Sequence, residues 1–187
     1  KHIKRVVAKA EANVKSLLKY GVVQNRETYK NIVRQAAYYH DLGKLNLKNQ
    51  EILSGKRKKK NLDVEHRDAG VAYLLGVNKE SPDATLIYAH HYPGLPNLNQ
   101  EQFSENPFRY ANAMEDTEQF LSDYLNLHKQ LTWDIKLDKK KDVSIRLSSL
   151  DYRLLLSCLV DADHSDAAGV EVSTPAPRWE DRIKKLD

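Results

Sequence analysis

Six side chains of types that hold metal ions fall at or near predicted helix ends: His40, Asp41, His66, His90, His91 and Asp163. His2 is a seventh candidate. Imidazole and carboxylate together suit manganese, iron, cobalt, nickel or zinc, whereas magnesium and calcium prefer oxygen alone. Cys158 is the sole cysteine, which leaves no thiolate set for a structural zinc. A mixed nitrogen and oxygen shell with several histidines instead fits a catalytic site with exchangeable positions.

The spacing adds weight. A chance His-Asp pair is expected roughly 0.6 times in a chain of this composition, so the pair alone says nothing. The string His-Asp-x-Gly-Lys, found at residues 40–44, is expected roughly 0.002 times. A later His, a later His-His pair and a late Asp closing an apolar helix make an ordered set.

The elements that must carry these residues read as helices. Apolar positions 3, 6, 7, 10, 14, 17 and 18 predict a helix ending near Gly21. A second, from about Glu27, carries Ile32, Val33, Ala36 and Ala37 into His40-Asp41, with Gly43 as terminator. A polar loop at about 54–63 precedes a third helix, about 64–76, with Ala69, Tyr73 and Leu74 on one face. Ser81-Pro82 reads as an N-cap with proline at the first helical position, leading through Leu86, Ile87 and Ala89 into His90-His91. Pro93-Gly94 then stops that helix, and 97–107 is an Asn-rich loop. A helix from about Pro107 to Leu131 uses Met114, Phe120, Leu121, Tyr124 and Leu125. After a charged connection at 132–143, a helix at about 144–166 carries Leu147, Leu150, Leu154, Leu155, Cys158, Leu159 and Ala162. No period-two pattern persists, so the expected fold class is all-α, a helical bundle with the metal site at its centre. The 187 residues suit a single domain, with about 167–187 as linker and C-terminal tail. A trimmed domain and the front piece of a longer protein both stay open.

Charge is concentrated rather than spread. The net charge is +4, and Lys56, Arg57, Lys58, Lys59 and Lys60 alone supply +5. Such a run is either a solvated loop or a phosphate-backbone contact. No stretch approaches 18 apolar residues and the N-terminus is charged and amphipathic, so no membrane span or secretory leader is expected. A reducing cytoplasm is the expected compartment.

HDLGK at 40–44, His66 within EHRDAG, HHYPGLP at 90–96 and LVDAD at 159–163 resemble the HD-domain phosphohydrolase superfamily. More narrowly, the His-His followed by Gly-Leu-Pro and the SCLVDAD helix resemble the HD nuclease domain of the CRISPR-associated type I effector nuclease-helicase. The resemblance spans roughly residues 2–166. It implies two divalent ions, of manganese, nickel, cobalt or iron, with magnesium and zinc still open. One ion would take His2, His40, Asp41 and Asp163; the other would take Asp41, His66, His90 and His91. Lys44 would meet a phosphate oxygen beside Asp41. The implied activity is cleavage of single-stranded DNA, and RNA stays open, through a hydroxide shared by the two ions. The implied partners are a CRISPR helicase subunit or domain and the effector complex. With no G-x-x-x-x-G-K-[ST] string, the chain is not itself the ATP-driven motor.

Plainer readings stand beside these. Asp161 competes with Asp163, His90 and His91 point about 100° apart if both are helical, and Lys44 could be merely solvated. His128 and His164 fit no pattern and read as structural or surface residues. Two other functions share the same motifs: an HD phosphohydrolase acting on nucleotides or cyclic nucleotides, and a binding module with a degenerate site.

Overall fold

The computed structural model describes residues 2–20, 26–77, 81–91, 94–95, 113–135, 137 and 147–169. Its helices are α1 (His2–Tyr20), α2 (Arg26–Tyr39), α3 (Leu47–Leu53), α4 (Asp68–Val77), α5 (Pro82–Ala89), α6 (Ala113–Leu131) and α7 (Ser149–Ala167), with a 3-10 turn at Leu42–Leu45. No strand occurs among the described residues, so the all-α expectation holds. None of the helices is long and apolar enough to cross a membrane.

The core follows from helical periodicity. α1 buries Val6, Val7, Ala10, Val14 and Leu18 along one stripe, as its spacing requires. α2 answers with Ile32, Val33, Ala36 and Ala37, and α7 with Leu155, Cys158, Leu159 and Ala162. α1 packs on both α2 and α7, and α5 lies against α2 and α4. A smaller cluster of Leu42, Ala69 and Tyr124 joins α6 to the 3-10 turn and α4. Cys158 is a small buried core residue, as its place on the stripe suggested.

Several boundaries move from those expected, each for a local reason. α7 begins at Ser149 rather than near residue 144, because Ser148 caps it: the Asp151 backbone N–H donates to Ser148 Oγ and the Ser148 N–H donates to the Asp151 carboxylate. Leu150 is consequently 64% exposed and lies off the core. α4 begins at Asp68 rather than 64, so His66 stands in the turn before it. α5 ends at Ala89, where the His90 N–H bonds back to the Ile87 carbonyl, so His90 and His91 are not helical neighbours. Ser81 precedes Pro82 as expected, but its hydroxyl pairs with the Asp83 carboxylate instead of capping the backbone. The expected end at Gly21, the loop at 97–107, the start of α6 at Pro107, the side chain of Met114, most of the 132–143 connection with Lys139, Lys140 and Lys141, and the tail from 170 all lie outside the described residues.

Gly43 does not terminate α2, which stops at Tyr39. It sits in the 3-10 turn, where its N–H donates to the His66 carbonyl at 3.0 Å. A Cβ there would stand 2.8 Å from the His66 Cα, so only glycine lets the two segments meet. Asn49, fully buried on α3, secures the same junction: its Nδ2 donates to the Gly43 and Val64 carbonyls, and its Oδ1 accepts from the Val64 N–H. Gly70 plays a similar part on α4, since a Cβ would run into the Tyr39 backbone carbonyl at the end of α2.

Gly70→Ala is therefore expected to destabilise the fold by about 1–3 kcal/mol through overpacking against backbone. Gly76→Ala, on the same helix with open space around it, is expected to be neutral or stabilising by up to about 1 kcal/mol. Urea unfolding of the two variants beside the parent chain measures the contrast.

Candidate metal centre

His40 and Asp41 follow α2 directly, so the helix that fills the core also delivers them. His40 is fully buried, and its Nδ1 donates to the Ala37 carbonyl at 2.8 Å. His90 is buried likewise, its Nδ1 donating to the Ile87 carbonyl at 2.6 Å. His2, one turn before Val6, gives its Nδ1 to Asp166 at 2.7 Å. The His66 Nδ1 lies 3.4 Å from the Glu65 carboxylate. In His2, His40 and His90 one ring nitrogen is bonded to an acceptor, which orients the other, Nε2.

The Nε2 atoms of His66 and His90, and Oδ1 of Asp41, are buried and make no hydrogen bond among the described residues, while Nε2 of His2 and of His40 faces the Asp41 and Asp163 carboxylates. Buried nitrogen and oxygen left unsatisfied in one place is costly unless something binds there. The donor set of imidazole nitrogens and ionised carboxylates fits a divalent ion. Two groups of atoms are close enough to hold one each: His2, His40, Asp41 and Asp163 in the first, His66, His90 and His91 in the second.

Asp41 stands between them. Its Oδ2 lies 3.2 Å from His2 Nε2, 3.4 Å from His40 Nε2 and 2.7 Å from Lys44 Nζ. Its Oδ1 faces the other way, 3.8 Å from His66 Nε2. Asp163 closes the first group, with Oδ1 at 3.3 Å from His2 Nε2 and 3.5 Å from His40 Nε2. In the second group the His90 and His91 ring centres are 4.2 Å apart, and His66 is 5.1 Å from His91. Because α5 has already ended, both histidines of the pair reach the same place.

All seven sequence-derived candidates thus converge, with Lys44 beside them. Asp161, the competitor of Asp163, is exposed and receives Asn13 instead. His164 is exposed and His128 is buried, and neither belongs to the two groups. Lys56–Lys60 form an exposed segment after α3, and two of the five charges are already engaged: Arg57 and Lys59 both pair with Asp63. Sequence reasoning missed Asp166, which accepts from His2 while Arg5 Nε and Nη2 donate to its two oxygens at 2.6 and 3.0 Å. Its signal was helical register: Asp166 lies one turn beyond Asp163, and Arg5 one turn beyond His2. Glu65, gripped by Arg67 on both oxygens, was missed as well.

The two groups differ in charge. Asp163 and Asp41 beside it raise His2 to about 10 against the effect of burial. Burial works against a charge on His40, but Asp41 and Asp163 prevail and raise it to about 9. Burial lowers His66 to about 4, and lowers His90 and His91 as well, with His40 adding to the effect at His90 and Arg67 at His91. Asp41 is held well below the usual carboxylate range: desolvation opposes this, but the histidines and Lys44 outweigh it.

Near pH 7 the metal-free chain therefore carries protons on His2 and His40 and none on the second group. An ion entering the first group must displace both protons, whereas the second is free to bind without release. Calorimetric titration of chelator-treated protein with manganese, repeated in buffers of different ionisation enthalpy, is expected to show release of about two protons per chain. Affinity at the first group should rise as the pH climbs toward 9 and flatten above 10.

A family model for the HD domain matches residues 1–164. No curated protein and no solved structure matches the chain. Since that match runs through α1, the His40-Asp41 turn and on to Asp163, the chain belongs to the HD domain family, whose members are typically metal-dependent phosphohydrolases.

Proposed function

We propose that this chain is a nuclease that cleaves single-stranded DNA in type I CRISPR interference, in the cytoplasm, on a strand presented by a helicase subunit or domain of the effector complex. The observation that carries the reading is Asp41, whose two oxygens face two separate groups of ligand atoms. A bridging carboxylate of this kind suits a two-ion phosphodiesterase. The HHYPGLP and SCLVDAD strings support the CRISPR branch.

In this reading His2, His40, Asp41 and Asp163 hold one ion, and Asp41, His66, His90 and His91 hold the other. Manganese, iron, cobalt or nickel bound there would polarise a phosphate oxygen and bring the pKa of water toward neutrality. The chain's own residues do the rest. The Nδ1 bonds of His2, His40 and His90 fix the rings, so that Nε2 needs no reorganisation. Lys44, 30% exposed at its side chain, leaves Asp41 to meet a phosphate oxygen of the incoming strand. Hydrolysis then adds water across one P–O bond, and the departing sugar oxygen takes up a proton.

Manganese-supplemented parent chain is expected to open circular single-stranded DNA. Asp41→Ala should lose more activity than the roughly 10–100-fold that removal of an outer hydrogen-bond partner costs. Hydrolysis of nucleotides with no action on circles would replace this reading by that of a nucleotide phosphohydrolase.

The basic segment should act through the charges that remain unpaired. Lys56→Gln, Lys58→Gln and Lys60→Gln together are expected to lower the slope of log affinity against log salt by about two for single-stranded DNA. Arg57→Gln with Lys59→Gln should change it less, since Asp63 already neutralises part of that pair. Binding in the presence of a chelator, followed over a salt series, measures both slopes.

A further inference from the structure

Behind the His40-Asp41 turn lies a cavity of about 410 Å³ that takes no part in holding the two ligand groups. Its wall is aromatic. Tyr38, Tyr39, Tyr73 and His128 form a continuous set of ring contacts: Tyr39 stacks on His128 at 5.7 Å, Tyr38 meets His128 edge-on at 4.4 Å, and Tyr39 meets Tyr73 at 4.8 Å. Trp133 also lines it and is 80% exposed, an unusual state for the largest apolar side chain. Lys129 stands at the same opening with its charge in solvent.

One polar atom inside the wall is unaccounted for. His128 is 4% exposed, yet its Nε2 has no hydrogen-bond partner among the described residues. The Thr132 hydroxyl does not serve it, being bonded to Tyr38 and to the His128 carbonyl. Burial lowers His128 to about 4, and one ring nitrogen is bonded to the Tyr38 backbone, so at neutral pH the ring is uncharged and Nε2 is left as a hydrogen-bond acceptor. Flat apolar faces, one neutral hydrogen-bonding edge and one cation describe a site for a heteroaromatic ring that carries a phosphate. Tyr38 and Tyr39 are joined directly to His40 and Asp41, so wall and ligand groups are no more than about 11 Å apart along the main chain.

We propose that this cavity receives a nucleobase of the single-stranded substrate, stacked against Trp133 and the tyrosines and hydrogen-bonded to His128, with Lys129 on the adjoining phosphate. The proposal deepens the nuclease reading by naming a base-holding site beside the scissile position, and it rests on that reading for its ligand. Stacking of this kind tolerates any base, so the cavity grips the strand without selecting a sequence.

The test is binding of a short labelled single-stranded deoxyoligonucleotide to the whole chain in chelator, which leaves the ion-holding groups out of the measurement. Trp133→Ala is expected to weaken binding about ten-fold with an unchanged salt slope, since a stacked face and not a charge is removed. His128→Phe, which keeps the ring and loses the nitrogen, should weaken it in the same way. An oligomer with the same backbone and no bases should bind the parent and the Trp133→Ala chain equally. Equal affinity of parent and Trp133→Ala for the normal strand overturns the proposal, as does an equal loss on the abasic strand. Because Trp133 is exposed, its replacement leaves the core intact. Cleavage of circular DNA that persists alongside a null result here would sink the base site alone; base stacking without cleavage would sink the nuclease reading alone.

Discussion

A carboxylate taken out of water is costly to keep ionised unless opposite charge reaches its oxygens. Asp41 is 5% exposed and is met from α1 by His2, from the end of α2 by His40, from the 3-10 turn by Lys44, and from the turn before α4 by His66. Each partner is attached to a helix end or turn whose neighbouring residues fill the apolar core. His2 is one turn from Val6, Asp163 adjoins Ala162, and His40 is one turn past Ala37. The packing that excludes water from this point is therefore the packing that supplies the groups able to stand in for it. Without that coincidence, a helical bundle of this size would contain a hole lined by unsatisfied nitrogens.

The same economy explains why backbone carbonyls, rather than side chains, orient the inner histidines. His40 and His90 each bond to the carbonyl three residues earlier, at the frayed end of the helix that carries them. The last carbonyls of a helix have no partner four residues on, and the Ile87 carbonyl takes the His90 N–H besides the ring. The helix terminus thus becomes a fixed cradle for an imidazole, and ending α5 at Ala89 is what allows His90 and His91 to converge. His2, in the first turn of α1, is oriented by Asp166 instead, which Arg5 holds in place.

How much of this could be read beforehand divides along physical lines. The apolar stripes of α1, α2 and α7 and the ligand candidates were legible, because both depend on residue type and short-range spacing. Asp163 was separable from Asp161 through the family resemblance and the apolar face of Leu155, Leu159 and Ala162, and the structure places Asp161 outside with Asn13. Gly43 was misread because a glycine after a helix usually ends it, whereas here its purpose is contact with a segment over twenty residues away. Asn49 was invisible for the same reason, since its clamp on Val64 leaves no local period, whereas Asp166 was signalled only by its place one turn beyond Asp163. His128 followed no motif, since an aromatic cluster assembled from α2, α4 and α6 has no linear signature.

The Asn49 clamp separates two mechanical jobs. Its amide closes the strip that leaves α3 and returns at Val64, just ahead of His66. Residues 53–61 of the closed strip face solvent, and lengthening them carries only a logarithmic entropic penalty. Drift in that strip, by insertion or by exchange of charges, is absorbed before it reaches the imidazole. If the strip grips a polymer as proposed, that grip can be remodelled while the geometry of the ligand groups stays untouched, a division of labour that one amide side chain maintains.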